Sequence, residues 1–527
     1  MAGTPAASAP GAPGAAAGTP DPSVGLRREI LVVLPGLLLA IMLAMLDQLI
    51  VGTALPRIVG SLGGVAHLSW VVTAYVLAST ITTPLYGKLG DMYGRKKLFM
   101  AAIVLFLVGS ALAGLSQSMT ELITFRAIQG LGAGGLMVSA IAIIGDLVSP
   151  RERGQYMGYI MGVMMIATIG GPLLGGFITD SFSWRWIFYI NLPIGGAALA
   201  YLAVTLKLPK RRIEHRVDYL GAAILAVGTT AIVLISTWGG TEYAWRSPQI
   251  LGLGVLAAAA LISFLRVEAR VAEPILPLHV FRNSNFSLVT ALSFLAGLAM
   301  FGAITFLPLY QQTVQGASAT ISGLLLTPMM VGVMITSLIA GQLTTRTGRY
   351  RALPILGTAG MAAGMYLLSL LGVNTSRVMS GLFMAVLGLG MGFLMQMTTL
   401  LAQNSVAPRD IGVASSSRLF FQQIGGSIGV SAFGAIFARR LQEALSSVSP
   451  GVHLSTGGGQ FNPATVKALP VPLQHDVFYA VTYAIHGVFL WALPAMLVAF
   501  VLAWFIKEVP LRGRAPAEEP AAPELVA

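Results

Sequence analysis

Cysteine is absent from the 527 residues, and charge is scarce. The first absence excludes disulfides, thiol nucleophiles and cysteine-held metals, while saying little about compartment. The second goes further. With 10% charged and 55% hydrophobic residues the chain cannot cover a soluble domain with polar surface, and a mean hydropathy of +0.79 places it in lipid. Also missing are a GxxxxGK[ST] phosphate loop and an HExxH zinc pair, and no serine nucleophile is evident. These absences argue against an ATP-driven pump and a hydrolase, so the chain is not read as an enzyme, and neither a cofactor nor a metal is expected.

What is present in abundance is apolar sequence. Stretches of about 18 or more apolar residues, long enough to cross a hydrocarbon core as helices, recur fourteen times. They lie near 30–55, 68–88, 98–116, 121–145, 155–178, 186–206, 217–238, 249–266, 287–310, 320–343, 352–372, 378–403, 411–438 and 479–506.

A net charge of +12 would suggest nucleic acid in a soluble protein, but here it reports topology. With the N-terminus inside, 23 of the 32 Lys and Arg residues fall in cytoplasmic loops and tails and seven fall outside, leaving Arg126 and Arg418 in helices. That asymmetry follows the positive-inside rule. It predicts a multi-pass protein of the cytoplasmic membrane with both ends in the cytoplasm. The partners it implies are membrane lipids and not nucleic acid.

The chain also repeats itself. GKLGDMYGRKK (87–97) returns as GQLTTRTGRYR (341–351), 254 residues later, and GGPLLGG (170–176) is echoed by GGSIGV (425–430). Each copy of the first follows the second helix of its half. Two six-helix units in the same orientation follow from this, which is a transporter architecture. The expected fold is an all-α membrane protein of fourteen transmembrane helices, two six-helix parallel repeats plus two inserted helices. Residues 1–25 read as a disordered cytoplasmic tail, 26–206 as the N-terminal bundle, and 207–286 as the inserted helices with their linkers. Residues 287–510 form the C-terminal bundle with a long extracellular loop at 439–478, in which ARRLQEAL is a short amphipathic helix. Residues 511–527 form a second disordered tail.

The repeated turn concentrates five charges in eleven residues. Gly87 and Gly94 permit tight backbone, and Arg95, Lys96 and Lys97 suit the positive-inside face. Asp91 needs another reason. Its carboxylate can bond Arg95 and also lie against the N-terminal end of a neighbouring helix, with Asp146 holding Arg95 from the other side. Such a cluster would latch the two halves and break as that face opens. The second copy has Thr345 in place of Asp91, so it retains the turn and loses the latch.

At this point a resemblance is visible. LDQLIVGTALP (46–56), GKLGDMYGRKK, FRAIQGLGAGG (125–135) and GGPLLGG with WRWIFYINLPIG (184–195) together resemble the fourteen-span drug:proton antiporter branch of the major facilitator superfamily, over residues 30 to 506. The resemblance implies export of small amphipathic compounds (drugs, dyes or antibiotics) by alternating access, with protons as the second partner and a monomer as the working unit. It links Arg126, followed by Gln129 and Gly130 in an RxxQG pattern, to proton transfer. It also marks the fifth helix as an antiporter signature. Read as residues, Gly171, Pro172, Gly175 and Gly176 make a small-residue, bent seam there.

Depth supports one pairing. Asp47 lies about 24 Å into the first helix and Arg126 within about 8 Å of the outer end of the fourth, so the two share a level. A carboxylate at that depth is a functional candidate by default. A static pair joining two helices, or an Arg126 that merely reaches to the interface, would leave the same residues in place. Candidate substrate contacts are Gln48, Trp70, Tyr75, Gln129, Gln311, Gln396, Phe421 and Gln422, since amides among aromatics and thioethers suit an adaptable amphipathic pocket. The second half holds no acid within a membrane helix, with Asp410 at an end and Asp476 in a loop, which argues against divalent cations as cargo. A dedicated exporter of one metabolite or lipid, or a receptor or scaffold on the same fold, are the rival readings.

Overall fold

In lipid every backbone N–H and C=O has to be satisfied within the chain, so the apolar runs become helices. The computed structural model describes residues 22–62, 68–148, 153–207, 218–240, 243–271, 274–448 and 470–510. In chain order the helices are α1 (Pro22–Leu62), α2 (Leu68–Tyr93), α3 (Arg95–Leu115), α4 (Met119–Leu147), α5 (Arg153–Ser181), α6 (Trp186–Tyr189) and α7 (Asn191–Thr205). The hairpin α8 (Tyr219–Trp238) and α9 (Pro248–Glu268) follows. The second half runs α10 (Ser284–Thr313), α11 (Ala319–Leu325), α12 (Thr327–Thr347), α13 (Ala352–Ser369), α14 (Arg377–Asn404), α15 (Ile411–Val448) and α16 (Val471–Trp504). No strand occurs among the described residues, only an isolated bridge between Gly239 and Tyr243.

Among the described residues thirteen spans are long and apolar enough to cross a bilayer, α6 with α7 making one and α11 with α12 another. Helix α2, about 39 Å long at 26 residues, occupies the remaining expected position. The starts of α4, α9, α11 and α14 are set by serines 118, 247, 318 and 376, whose hydroxyls accept from the amides three residues on. All four lie at the end of the molecule opposite the 87–97 turn. That turn and its repeat define the other, basic end. The glycine common to both turns has a backbone reason: Gly94 and Gly348 have φ of 94° and 69°, a region side chains rarely enter.

The two halves use the same packing scheme. In the first, α1 packs on α5, α2 and α3 on α4, and α7 on α1 and α3. In the second, α10 packs on α15, α12 and α13 on α14, and α16 on α10 and α13. The halves meet through α2 against α15 and α12 against α5, one contact as seen from either side, as two like-oriented repeats require. The inserted helices pack on each other, and α8 lies against α2 and α15, where Trp238 meets Trp70 edge-on at 5.6 Å.

Three boundaries differ from the sequence reading. Helix α1 begins at Pro22, inside the segment expected to be disordered; residues 1–21 lie outside the described residues. The loop expected over 439–478 is helical at both ends, because α15 continues unbroken to Val448 and α16 starts at Val471. ARRLQEAL is thus the last turns of α15: Leu441, Ala444 and Leu445 are buried, Arg439 pairs with Glu443 on the exposed side, and Arg440 lies over Tyr483 of α16. Asp476 stands within α16 rather than in a loop. Residues 449–469 lie outside the described residues, as do 511–527.

Candidate functional site

The interior of the first bundle holds a closed polar network. Asp47 of α1 accepts from Arg126 Nη1 at 2.5 Å on one oxygen, and from Gln129 Nε2 and Asn191 Nδ2, both at 2.8 Å, on the other. Arg126 also donates from Nη1 to Gln129 Oε1 (2.7 Å) and from Nε to the Val71 carbonyl oxygen (3.2 Å). Ser110 of α3 accepts from Gln129 and Asn191 and donates to the Phe188 carbonyl at 2.9 Å. The guanidinium also lies 4.1 Å over the Tyr75 ring, whose hydroxyl donates to the Ala44 carbonyl oxygen.

Asp47, Arg126, Gln129 and Ser110 are 0% exposed, so in this conformation no water reaches the carboxylate. An ion pair so deep persists only when its other lone pairs and protons find partners, and here the Val71 carbonyl of α2, Gln129 of α4 and Asn191 of α7 supply them. Glycines make that possible: a Cβ at Gly130 would lie 2.5 Å from the Tyr75 carbonyl oxygen and one at Gly132 2.4 Å from the Phe106 amide. The close approach of α2 and α3 to α4 therefore depends on the FRAIQGLGAGG stretch.

The second cluster sits at the basic end. Arg95 lies 2.7 Å from Asp91 and 3.0 Å from Asp146, and donates to the Ala142 carbonyl. Asp91 also accepts from the Val413 amide, at 3.0 Å, in the first turn of α15. The ion cluster of the first half is thereby tied to the second half. Gly87 allows the approach, since a Cβ there would meet Ser416 Oγ at 2.2 Å and the Gly412 carbonyl oxygen at 2.7 Å. Farther along the seam Thr80 donates to Gln423 Oε1 at 2.8 Å. Asp91 lies beyond the 68–88 span, and burial pushes its carboxyl up to about 6 against the downward pull of Arg95.

The α5 seam is tight at one point and open at another. A Cβ at Gly171 would lie 2.6 Å from Leu49 of α1, whereas Gly176 has open space around it. Gly175 is buried, its carbonyl accepting from Thr179, and Pro172 falls within the same helix.

The eight candidate substrate contacts are not brought into one pocket. Gln129 and Tyr75 belong to the Asp47 network, and Trp70 packs on the inserted hairpin. Phe421 stacks edge-on with Phe281 and Phe420 in a cluster with α8 and α9. Gln48 is half-buried. Gln422 accepts from Arg418 at 2.9 Å, Gln311 donates weakly to Met384 Sδ at 3.6 Å, and the buried Gln396 amide has no partner among the described residues. Ser110, Asn191, Thr80 and Val413 escaped the sequence reading. A serine and an asparagine inside apolar helices were the available signals for the first two.

Helices in two like-oriented bundles that meet along two seams, the first bundle enclosing a buried ion pair, define a multi-span membrane transporter. Comparison with known proteins agrees: the Major Facilitator Superfamily model matches residues 37–219 and 219–430. The chain belongs to that superfamily. It is 36% identical to the multidrug transporter protein MdtP of Bacillus subtilis, over 93% of this chain and 95% of that one. It is 38% identical to multidrug resistance protein 3 of the same organism, over 89% and 94%. An MFS-type transporter of Mycobacterium tuberculosis is 41% identical over 92% of this chain and 70% of its own. Among solved structures, the human organic anion transporter MFSD10 and the proton:xylose symporter XylE share the fold, each with a TM-score of 0.59 at 14% and 15% identity. They cover 91% and 92% of this chain and 99% and 98% of their own. The protein is thus a transporter rather than an enzyme, with efflux proteins among its relatives.

Proposed function

We propose that this protein is a proton-driven antiporter that exports small amphipathic compounds across the cytoplasmic membrane, its basic end facing the cytoplasm as the positive-inside rule directs. The observation that carries the reading is the fully buried Asp47–Arg126 pair. Asp47 is the one carboxylate in this network, and its ion pair with Arg126 exists only while it is ionised. A proton arriving from outside turns an acceptor-only group into a donor and removes the charge that holds the guanidinium. Gln129 and Asn191 still hold the other oxygen, so the carboxyl keeps its place while Arg126 is released.

The Asp91–Arg95–Asp146 cluster and its bond to the Val413 amide hold the basic end shut during outward release. Proton loss to the inside re-forms the pair and resets the cycle. Relatives named as multidrug transporters support a broad amphipathic cargo. A dedicated exporter is the second reading. It draws on relatives at 33% identity named as the efflux pump FUS6 of Gibberella and the acurin A biosynthesis cluster transporter of Aspergillus aculeatus.

The test is ethidium transport into proteoliposomes under an imposed pH gradient, comparing wild type with Asp47→Asn at equal folded protein. Gradient-driven transport by the wild type alone supports antiport through Asp47. Undiminished gradient-driven transport by the variant moves the coupling elsewhere.

A further inference from the structure

The two copies of the repeated turn have diverged in how their cations are used. In the first, Arg95 is 8% exposed and spent on two carboxylates. In the second, Thr345 replaces the acid, and Arg349 and Arg351 are exposed with no carboxylate at ion-pair distance among the described residues. Arg351 makes one bond, from Nη2 to the Trp504 carbonyl oxygen, which leaves most of its donors unused.

Beside these two guanidiniums lies a groove of about 620 Å³ between α12, α13 and the end of α16. Its walls are apolar: Leu343, Ile355, Leu356 and Trp504, three of them more than 40% exposed on the side facing lipid. The groove is built rather than incidental. Gly348 turns the chain, Tyr350 exchanges hydrogen bonds with Val509 through its hydroxyl, and its amide donates to Glu508. These bonds clamp the chain after α16 against the turn. Among the described residues Glu508 is the one carboxylate lining the groove, and its Oε1 accepts from that amide.

We infer that this groove binds one anionic phospholipid, its acyl chain along Leu343, Ile355, Leu356 and Trp504 and its phosphate on Arg349 and Arg351. Charge and position agree: unneutralised guanidiniums sit where the apolar span ends, beside an interfacial tryptophan, and planar guanidinium forks match phosphate oxygens. The apolar walls select an intact lipid over a soluble anion.

The experiment is native mass spectrometry of the full chain in detergent, titrated with phosphatidylglycerol or phosphatidylcholine. No proton gradient is involved, so the result is independent of the antiport reading. Wild type should hold one phosphatidylglycerol in clear preference to phosphatidylcholine. Arg349→Gln with Arg351→Gln should lower that affinity about 30-fold, while Lys at both positions keeps most of it. Leu356→Trp, which fills the groove and leaves the cations, should weaken both lipids. Equal phosphatidylglycerol binding by the Gln variant overturns the assignment, as does equal competition by glycerol phosphate. If the Gln variant does not fold, unchanged lipid binding by Leu356→Trp has the same force.

Discussion

The Asp47 network makes a quantitative demand that separates holding from coupling. Asp47→Asn removes the charge that balances Arg126 in a place with 0% exposure. Either orientation of the new amide sets its NH2 against existing donors, since Arg126 approaches one oxygen and Gln129 and Asn191 the other. An uncompensated buried charge of this kind costs about 3–5 kcal/mol. Adding Arg126→Gln removes the stranded cation and supplies an acceptor, so the double variant should recover most of that loss. The coupling energy from the cycle should reach about 2–3 kcal/mol, well above the value for non-interacting sites. The assay is denaturant unfolding of wild type, both single variants and the double variant in one detergent, beside gradient-driven dye transport by each. Recovered stability with transport still absent would assign the pair a role in coupling beyond packing. Additive losses would refute the energetic argument, and transport restored in the double variant would refute the coupling one.

Other outcomes follow from the basic end and the network. Gly87→Val places a methyl-bearing Cβ inside Ser416 and the Gly412 backbone, so cross-linking between the ends of α2 and α15 should fall and turnover with it; unchanged cross-linking would show that the seam yields. Asp91 titrates near 6 with the seam closed and near its ordinary 3.8 once exposed, so the closed form binds the proton more tightly and acidification favours closure. Between pH 7 and 5 the closed-to-open ratio should rise about tenfold, read by spin-label distances across α2 and α15, and Asp91→Asn should flatten the response. Asn191→Leu deprives Asp47 and Ser110 of a donor and should cost about 1–3 kcal/mol in the same unfolding assay, with Ser110→Ala costing less; equal stability of Asn191→Leu and wild type would show that the remaining donors suffice.

Much of this architecture is legible in the chain because lipid enforces it. A run of about twenty apolar residues has one stable backbone solution in a bilayer, and the offset of 254 residues between two glycine-rich turns discloses the repeat. Depth counting placed Asp47 and Arg126 at one level, where they lie 2.5 Å apart. Helix ends were harder. The amphipathic segment at 438–445 carries the charge of a loop, yet it continues α15 without a break because Leu441 and Leu445 find an apolar partner surface that local sequence does not announce. Candidate pocket residues were harder still: a glutamine in a membrane helix has the same signature whether it holds a carboxylate, as Gln129 does, or stands without a partner, as Gln396 does.

The latch shows why one half reads clearly and the other does not. Asp91, Arg95 and Asp146 are charged side chains in an apolar chain and draw attention at once. Their counterpart across the seam is the amide of Val413, one of the four N–H groups that any helix leaves unpaired in its first turn. A backbone donor needs no particular side chain, only a helix that begins at the right place and a glycine at 412 thin enough to let the carboxylate in, since a Cβ there would lie 2.4 Å from Asp91. The second half can therefore lose the acid from its own copy of the turn and still bond Asp91 of the first, while Arg349 and Arg351 stay exposed.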